Sequence, residues 1–335
     1  MSEKPIQRGQ TVAMNVVEPH GAGTTTSDKP FGRSLIEVAK TRSEIVGLTA
    51  DLGKYTDLDI FGREYPNRYF QIGMAEQNLV GVAAGLARTG FIPFATTYCV
   101  FASRRAYDFI AIDVAYSRSN VKIVAGLPGL TTGYGATHQG IDDLALMRAM
   151  PGMVVIDPAD ATEIEQAVPA IADYTGPVYM RLLRGQVKRV LDPETYRFEI
   201  GKARLLRNGR DVLLISTGLM TDRALEASTA LQHEGIDAGV LHVSTLKPLD
   251  VDVIVQAAAR AGTIVTVENH TIVGGLGSAV ADVLCMAGVS VRMAKIGIPD
   301  QFVECGSVGY LVEKYGMTPR HIAETATRLV ERRNG

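Results

Sequence analysis

One carboxyl group stands out for its setting. Glu76 lies in Tyr69-Phe-Gln-Ile-Gly-Met-Ala-Glu-Gln-Asn78, in the first turn of a segment, Met74–Leu86, that reads as a helix rich in Ala, Gly and Val. Such a helix has almost no polar face and should be buried on several sides. A carboxyl there is costly unless it has a partner, and burial raises its pKa so that it can share a proton. The structural alternative is that Glu76 and Gln77 only complement the positive start of the helix. His138 stands in Tyr134-Gly-Ala-Thr-His-Gln-Gly140, a glycine-rich loop after a strand. Ligands bind at the carboxyl ends of parallel strands, and an imidazole there can donate to a carbonyl oxygen or move protons near neutral pH. A loop histidine held only by backbone is the alternative. Tyr98 and Phe101, in Phe94-Ala-Thr-Thr-Tyr-Cys-Val-Phe101, read as core aromatics from local pattern alone.

The elements that must position these groups alternate between strand and helix. Tyr69–Ile72 reads as a short buried strand, turned by Gly73. Ahead of it come a helix at Phe31–Thr41, a buried strand at Ile45–Ala50 and a loop over Gly53–Asn67. After the Glu76 helix follow strands at Phe91–Thr96, Val121–Ala125, Met153–Ile156 and Val178–Leu182. Helices are expected at Phe101–Tyr116, Asp142–Met150, and after the capping-box variant Asp160-Ala-Thr-Glu163. A second alternating set runs from Asp211 to Ile296, and a helical tail from about Thr318 to Arg332. This order predicts an α/β chain of two doubly wound domains, each a parallel sheet between helices. Residues 1–30 read as a mobile segment or strap, with a short strand at Val12–Val17; 31–190 form the first domain and 191–335 the second, with a polar linker at Gln186–Gly201.

At 335 residues the length fits two domains. A net charge of −2 gives no field that would favour nucleic acid or a membrane surface. No apolar run approaches the ~20 residues of a membrane span, and the N-terminus lacks a signal-peptide layout. Three cysteines without a C-x-x-C pair fit a reduced, cytoplasmic protein. The six histidines are scattered and imply no zinc site. Gly274-Gly-Leu-Gly277 lacks the third glycine of a dinucleotide fingerprint, so it reads as strand-to-helix packing in a loop that also carries Glu268-Asn-His270.

Tyr69–Asn78, Phe94–Phe101 and Tyr134–Gly140, in that order, resemble the pyrimidine-binding domain of transketolases and 1-deoxyxylulose-5-phosphate synthases, which are thiamine diphosphate enzymes. The resemblance runs from about Asp51 to Gly185 and continues more weakly to the C-terminus. It implies that Glu76 hydrogen-bonds N1′ of the cofactor's aminopyrimidine, favouring the imino tautomer and making N4′ basic. It gives Tyr98 and Phe101 as the aromatic wall, and Asp51 and Leu52 as the A-D-L segment near the cofactor. His138 would contact the donor sugar. An arginine, Arg184 or Arg181, would bind substrate phosphate, for which a planar guanidinium is suited; a salt-bridged structural arginine is the alternative for either. Arg33 is a remoter candidate.

Two positions depart from the transketolase pattern. Gly126 stands near the place of a second histidine, and Tyr134 at that of an aspartate that reads the sugar hydroxyl at C2. Such changes should shift specificity more than chemistry. The G-D-G…N motif of the diphosphate- and metal-binding domain is missing. The resemblance therefore implies the C-terminal subunit of a split enzyme, with an N-terminal partner subunit in an α2β2 assembly. That partner would hold most of the diphosphate and Mg²⁺. The bare helix face over Gly81–Ala87 allows a neighbouring helix to approach. The expected reaction moves a two-carbon ketol unit from a ketose to an aldose, as free sugars or sugar phosphates. Rival expectations are the β subunit of a 2-oxoacid dehydrogenase E1, a deoxyxylulose-phosphate synthase-like enzyme, and a non-catalytic subunit that keeps the fold.

Overall fold

In the computed structural model of the chain, residues 25–334 are described. The strands are β1 Thr26–Asp28, β2 Ile45–Thr49, β3 Tyr69–Gln71, β4 Ile92–Tyr98, β5 Lys122–Gly126, β6 Val154–Ile156, β7 Val178–Leu182 and β8 Gln186–Lys188. They continue as β9 Arg204–Arg207, β10 Val212–Ser216, β11 Ala238–His242, β12 Thr245–Lys247, β13 Thr263–Thr271 and β14 Arg292–Ile298. A seven-stranded sheet has the order β12-β6-β7-β5-β4-β2-β3, and a five-stranded sheet the order β14-β13-β10-β11-β9. Within these two sheets pairing is parallel except at the edge strands β12 and β9. Strands β2, β4, β5 and β7 are buried along their whole length, as parallel strands covered on both faces must be. Helices Pro30–Ala39 and Ala161–Asp173 pack into one apolar cluster, while Glu76–Arg88 and Asp143–Ala149 pack into another that continues into the second sheet.

The chain leaves β2 toward β3 and leaves β4 toward β5, in opposite directions across the sheet. Adjacent β2 and β4 thus form a topological switch point, and a crevice opens at their carboxyl ends. Asp51, Tyr98 and Gly126 stand at the ends of β2, β4 and β5.

Several expectations need correction. β3 is the sheet's edge, and its residues are half-buried or exposed, with Phe70 open to solvent. Tyr69 packs against Gly53 and Gly62, but Phe70 and Gln71 are exposed among the described residues. The Glu76–Arg88 helix starts two residues later than expected, and one side of it is open: Gln77, Asn78 and Gly85 are exposed. Gly53–Asn67 is not a plain loop but holds a helix, Asp59–Glu64, between two 3₁₀ turns. The glycines and proline of this stretch masked it; Gly32 and Gly47 let Ile60 and Phe61 of the helix, and Leu58 just before it, press close. Residues 25–30 are ordered by β1, which pairs antiparallel with β8, so the mobile segment does not extend through them. The remainder of that segment and the Val12–Val17 strand lie outside the described residues.

The linker is packed: Leu191, Tyr196 and Phe198 are buried, and the Tyr196 hydroxyl donates to Glu163. β12 adds to the first sheet against β6, so the two halves share a sheet. Glu268–His270 belong to β13 rather than to a loop. The Glu268 carboxylate accepts the N–H groups of Leu276 and Gly277 at 2.7 and 2.8 Å, which fits the packing reading of that glycine segment.

Candidate active site

Glu76 is the first residue of its helix and is only 4% exposed. Its carboxylate accepts from Arg105 Nη1 at 3.1 Å. That guanidinium lies 4.0 Å above the Phe101 ring, so Phe101 and Glu76 flank one cation. Phe101 stacks obliquely on Tyr98 at 5.6 Å between centroids, and both rings present themselves to the edge of His138 at 5.4 and 6.3 Å. Tyr134 closes the group, 5.5 Å from the His138 ring. Leu52 and Tyr55 pack against the buried Tyr98, Val100 and Leu127. The helix start after β3, the turn after β2, the helix start after β4 and the loop after β5 thus converge at one end of the sheet.

The electrostatics follow from this packing. Burial pushes the Tyr98 phenol up to about 12, so it stays protonated. Burial, then the nearby Arg105 charge, lowers the pKa of His138, which keeps the imidazole neutral at neutral pH. Its Nδ1 lies 2.9 Å from the Thr137 hydroxyl. A neutral ring offers one donor and one acceptor, as a group facing a sugar oxygen requires. Burial lifts the Asp57 carboxyl to about 6, although it accepts the Gly185 N–H at 2.8 Å.

The structure separates the two arginines. Arg181 is 1% exposed, and its five N–H donors are all engaged within the chain. Nε and Nη2 bind Asp143 at 2.8 and 2.5 Å, and Nη2 also reaches the Gly140 carbonyl at 3.3 Å. Nη1 binds Asp157 at 3.3 Å and the Asn269 carbonyl at 3.1 Å. It has no donor left for a substrate anion, so the phosphate-binding expectation for Arg181 is withdrawn in favour of a structural ion cluster. Arg184 is different. It lies over the Tyr55 ring at 5.6 Å, and its buried Nε has no hydrogen-bond partner among the described residues. An orphaned guanidinium donor beside Tyr55 and Tyr98 is what an anionic ligand would complete.

Asp51 sits exposed in a left-handed turn (φ 59°), bonded through its carboxylate and N–H to the Gln71 amide. Leu52 is half-buried in the aromatic cluster. Arg33 is exposed and binds Asp28, away from this group. Gly126 pairs with Tyr98 in register, and a side chain there would meet Tyr98, Tyr55 and Thr56 at 3.6 Å. The Gly126 and Tyr134 departures therefore border the same aromatic group. Sequence reasoning missed Arg105 and Tyr55. The only sequence signal for them was position, one turn after Phe101 and one turn after Asp51.

Comparison with known proteins decides the family. Residues 24–189 match the pyrimidine binding domain of transketolase, and residues 201–322 match the transketolase C-terminal domain. The chain belongs to the transketolase family. It is 54% identical to a putative uncharacterized transketolase family protein of Sinorhizobium fredii, over 93% of this chain and 91% of that one. It is 42% identical to the 6-deoxy-6-sulfo-D-fructose transketolase subunit of a Clostridium species, over 90% of this chain and 93% of the relative. A solved structure described as a split gene transketolase in an inactive beta4 tetramer superposes with a TM-score of 0.83. That protein shares 43% identity, over 90% of this chain and 97% of the other. Thiamine diphosphate is the cofactor the family implies.

Proposed function

We propose that this chain is the C-terminal subunit of a split thiamine diphosphate-dependent transketolase that moves a two-carbon ketol unit from a ketose to an aldose. The observation that carries the reading is the buried Glu76 carboxylate at the rim of the Tyr98–Phe101–His138 group, at the switch point of the first sheet. The fit to the cofactor rests on three features of the chain. A buried acceptor stands at the edge of an apolar aromatic wall, Gly126 adds no side chain between Tyr98 and Tyr55 at that wall, and Arg184 Nε lacks a partner among the described residues. Glu76 would hold the aminopyrimidine at its ring nitrogen, with Tyr98, Phe101 and Leu52 as its walls and Asp51 at the neighbouring turn. When bound, the cofactor would supply a nucleophilic ring carbon and, in the cationic ring that carries it, a sink for the electron pair released when a bond beside a carbonyl breaks.

This chain's residues do the rest. Glu76 would hold a hydrogen-bonded proton at the ring nitrogen, and Arg105, seated over Phe101, bonds the same carboxylate. Neutral His138 donates to, or accepts from, a sugar oxygen as carbonyl and hydroxyl interconvert. Arg184 binds the anionic end of the substrate.

The partner would supply the diphosphate and Mg²⁺ sites, in an α2β2 complex in the cytoplasm. The open side of the Glu76–Arg88 helix supports a partner there. Gly81 and Gly85 face open space on one stripe, beside exposed Met74, Ile112 and Tyr116. We read residues 31–190 as the unit that carries the site and 191–335 as the unit that braces it.

A coupled assay of the reconstituted complex with ketose and aldose pairs, free and phosphorylated, tests the reading. An R184M substitution should raise KM for an anionic substrate by about 10–100-fold, from loss of a charge-assisted contact of about 1.5–3 kcal/mol. It should leave KM for an uncharged one nearly unchanged. Equal effects on both would remove Arg184 from the substrate site. Absence of any ketol transfer, alongside lipoyl acylation from a 2-oxoacid, would replace the whole reading with the dehydrogenase one.

A further inference from the structure

The second sheet reaches into the loop that carries His138. Strand β13 is nine residues long, but its parallel partner β10 stops pairing at Val267. Glu268–Thr271 extend past β10, with Thr271 still paired to Ile298 of β14 after a register shift, and reach the Gly126–Gly140 loop on the side that β10 leaves open. Asn269 Oδ1 accepts the Leu130 N–H at 2.9 Å, and its Nδ2 donates to the Pro128 carbonyl at 3.0 Å. Both bonds are buried. The side-chain amide thus holds Pro128-Gly129-Leu130 as a neighbouring strand would. Gly129, between them, has φ +52°, and a Cβ on it would lie 2.3 Å from Asn269 O and Oδ1, so only glycine allows this approach.

The other side of the loop's neck is held from the same place. Thr271 N–H donates to the Ile141 carbonyl at 2.8 Å. The Asn269 carbonyl accepts from Arg181, which also binds Gly140. Gly129 N–H closes the neck onto the Gly140 carbonyl at 2.8 Å. The tip is pinned too, by Gly306 N–H on the Gly133 carbonyl at 3.1 Å and a Tyr134–Cys305 bridge.

We infer that Asn269, from the C-terminal half, is a positioning residue for the transfer reaction. It fixes the neck of the Gly126–Gly140 loop and thereby the place of His138 and Tyr134 over the Tyr98–Phe101 wall. This rests on the reading that His138 works at the substrate. Asn269 touches no reacting atom. Its role is geometric, and small misplacements of catalytic groups are costly.

Two variants in the reconstituted complex test it. N269A removes both bonds. It should raise amide hydrogen exchange at Leu130 and across residues 131–140 by about tenfold or more, and lower kcat by about 10–100-fold, with KM changing much less. N269D keeps the acceptor for Leu130 but, when ionised, sets a charge against the Pro128 carbonyl. Once protonated it regains a donor. Its kcat relative to the unaltered enzyme should therefore recover as pH falls, which loss of general packing would not produce. Should N269A fail to assemble, N269D carries the test. Unchanged exchange in N269A, or raised exchange with kcat within about twofold of the unaltered enzyme, would overturn the inference, as would an N269D deficit independent of pH. H138A in the same assay separates the two claims: full activity there defeats the role of His138, whereas the exchange data still report on the Asn269 clamp.

Discussion

Replacing Glu76 with glutamine is expected to lower kcat of the reconstituted complex by about 10²–10⁴-fold, the range for loss of a positioned proton-transfer group. Glutamine fills nearly the same volume, so the helix start and its packing on Leu79 and Ala83 should survive. The lost ion pair with Arg105 costs little stability, because Arg105 is 53% exposed and solvent screens such pairs. Circular dichroism and the thermal midpoint should therefore move little while turnover collapses. This pattern separates the two meanings the residue could have. A carboxylate that only complements the helix dipole would cost a few tenths of a kcal/mol to about 1 kcal/mol of stability and nothing in rate. A variant with native kcat would return Glu76 to that modest role and favour a non-catalytic subunit.

The second large effect is on folding. R181M should destabilise the chain by about 3–5 kcal/mol in denaturant titrations, because it strands buried acids without their cation. Burial alone would raise the pKa of Asp143, yet the Arg181 guanidinium, with the Tyr179 hydroxyl at 2.6 Å, holds it below the usual 3.8. A depressed carboxyl contributes stability that is complete above the unfolded value and is lost as pH falls through the lower folded one. Asp143's share in the unaltered chain should therefore persist to about pH 4 and fade only below it. Asp157 runs the other way: burial lifts it to about 6, so its ionisation weakens the fold as pH rises from 3.8 toward 6. In R181M the Asp143 contribution disappears, and the acid limb of the stability curve should flatten or invert. A variant within about 1 kcal/mol of the unaltered chain, with an unchanged acid limb, would show that the cluster is not the ion network described.

The alternation of strands and helices was legible because parallel strands covered on both faces are mostly apolar, as in Ile45–Leu48 and Ile123–Ala125. Edge strands broke that rule. Tyr69–Gln71 looked buried because its apolar side chains are real, but only Tyr69 is partly covered, while Phe70 and Gln71 are exposed among the described residues. β12 was missed because three residues, Thr245–Lys247, carry no period of their own and are strand only by pairing with β6. At the site, Glu76 and His138 stood out by their settings, a carboxyl in an apolar helix start and an imidazole in a loop at a strand end, whereas Tyr98, Phe101 and Leu52 were named through the resemblance to transketolases and from local pattern read only as core or turn residues. Arg181 misled for an instructive reason. Two arginines three residues apart at a strand end look alike in sequence, yet one points along the strand into Asp143 and Asp157 and the other stands over Tyr55. Which of them is free depends on acids 24 and 38 positions away, beyond the reach of local pattern. Asn269 was passed over as part of a glycine-rich connection. Its importance comes from the length of β13 beyond the end of β10, which only the sheet register reveals.

The division of labour between two polypeptides is the claim on which the rest depends. Its most direct test is calorimetric titration of thiamine diphosphate with Mg²⁺ into this chain alone, and then into the chain mixed with its diphosphate-binding partner, with ketol transfer followed in both samples. The account predicts weak or undetectable binding and no turnover for the isolated chain, and tight binding with turnover once the partner is present. Tight binding and turnover by the isolated chain would contradict it.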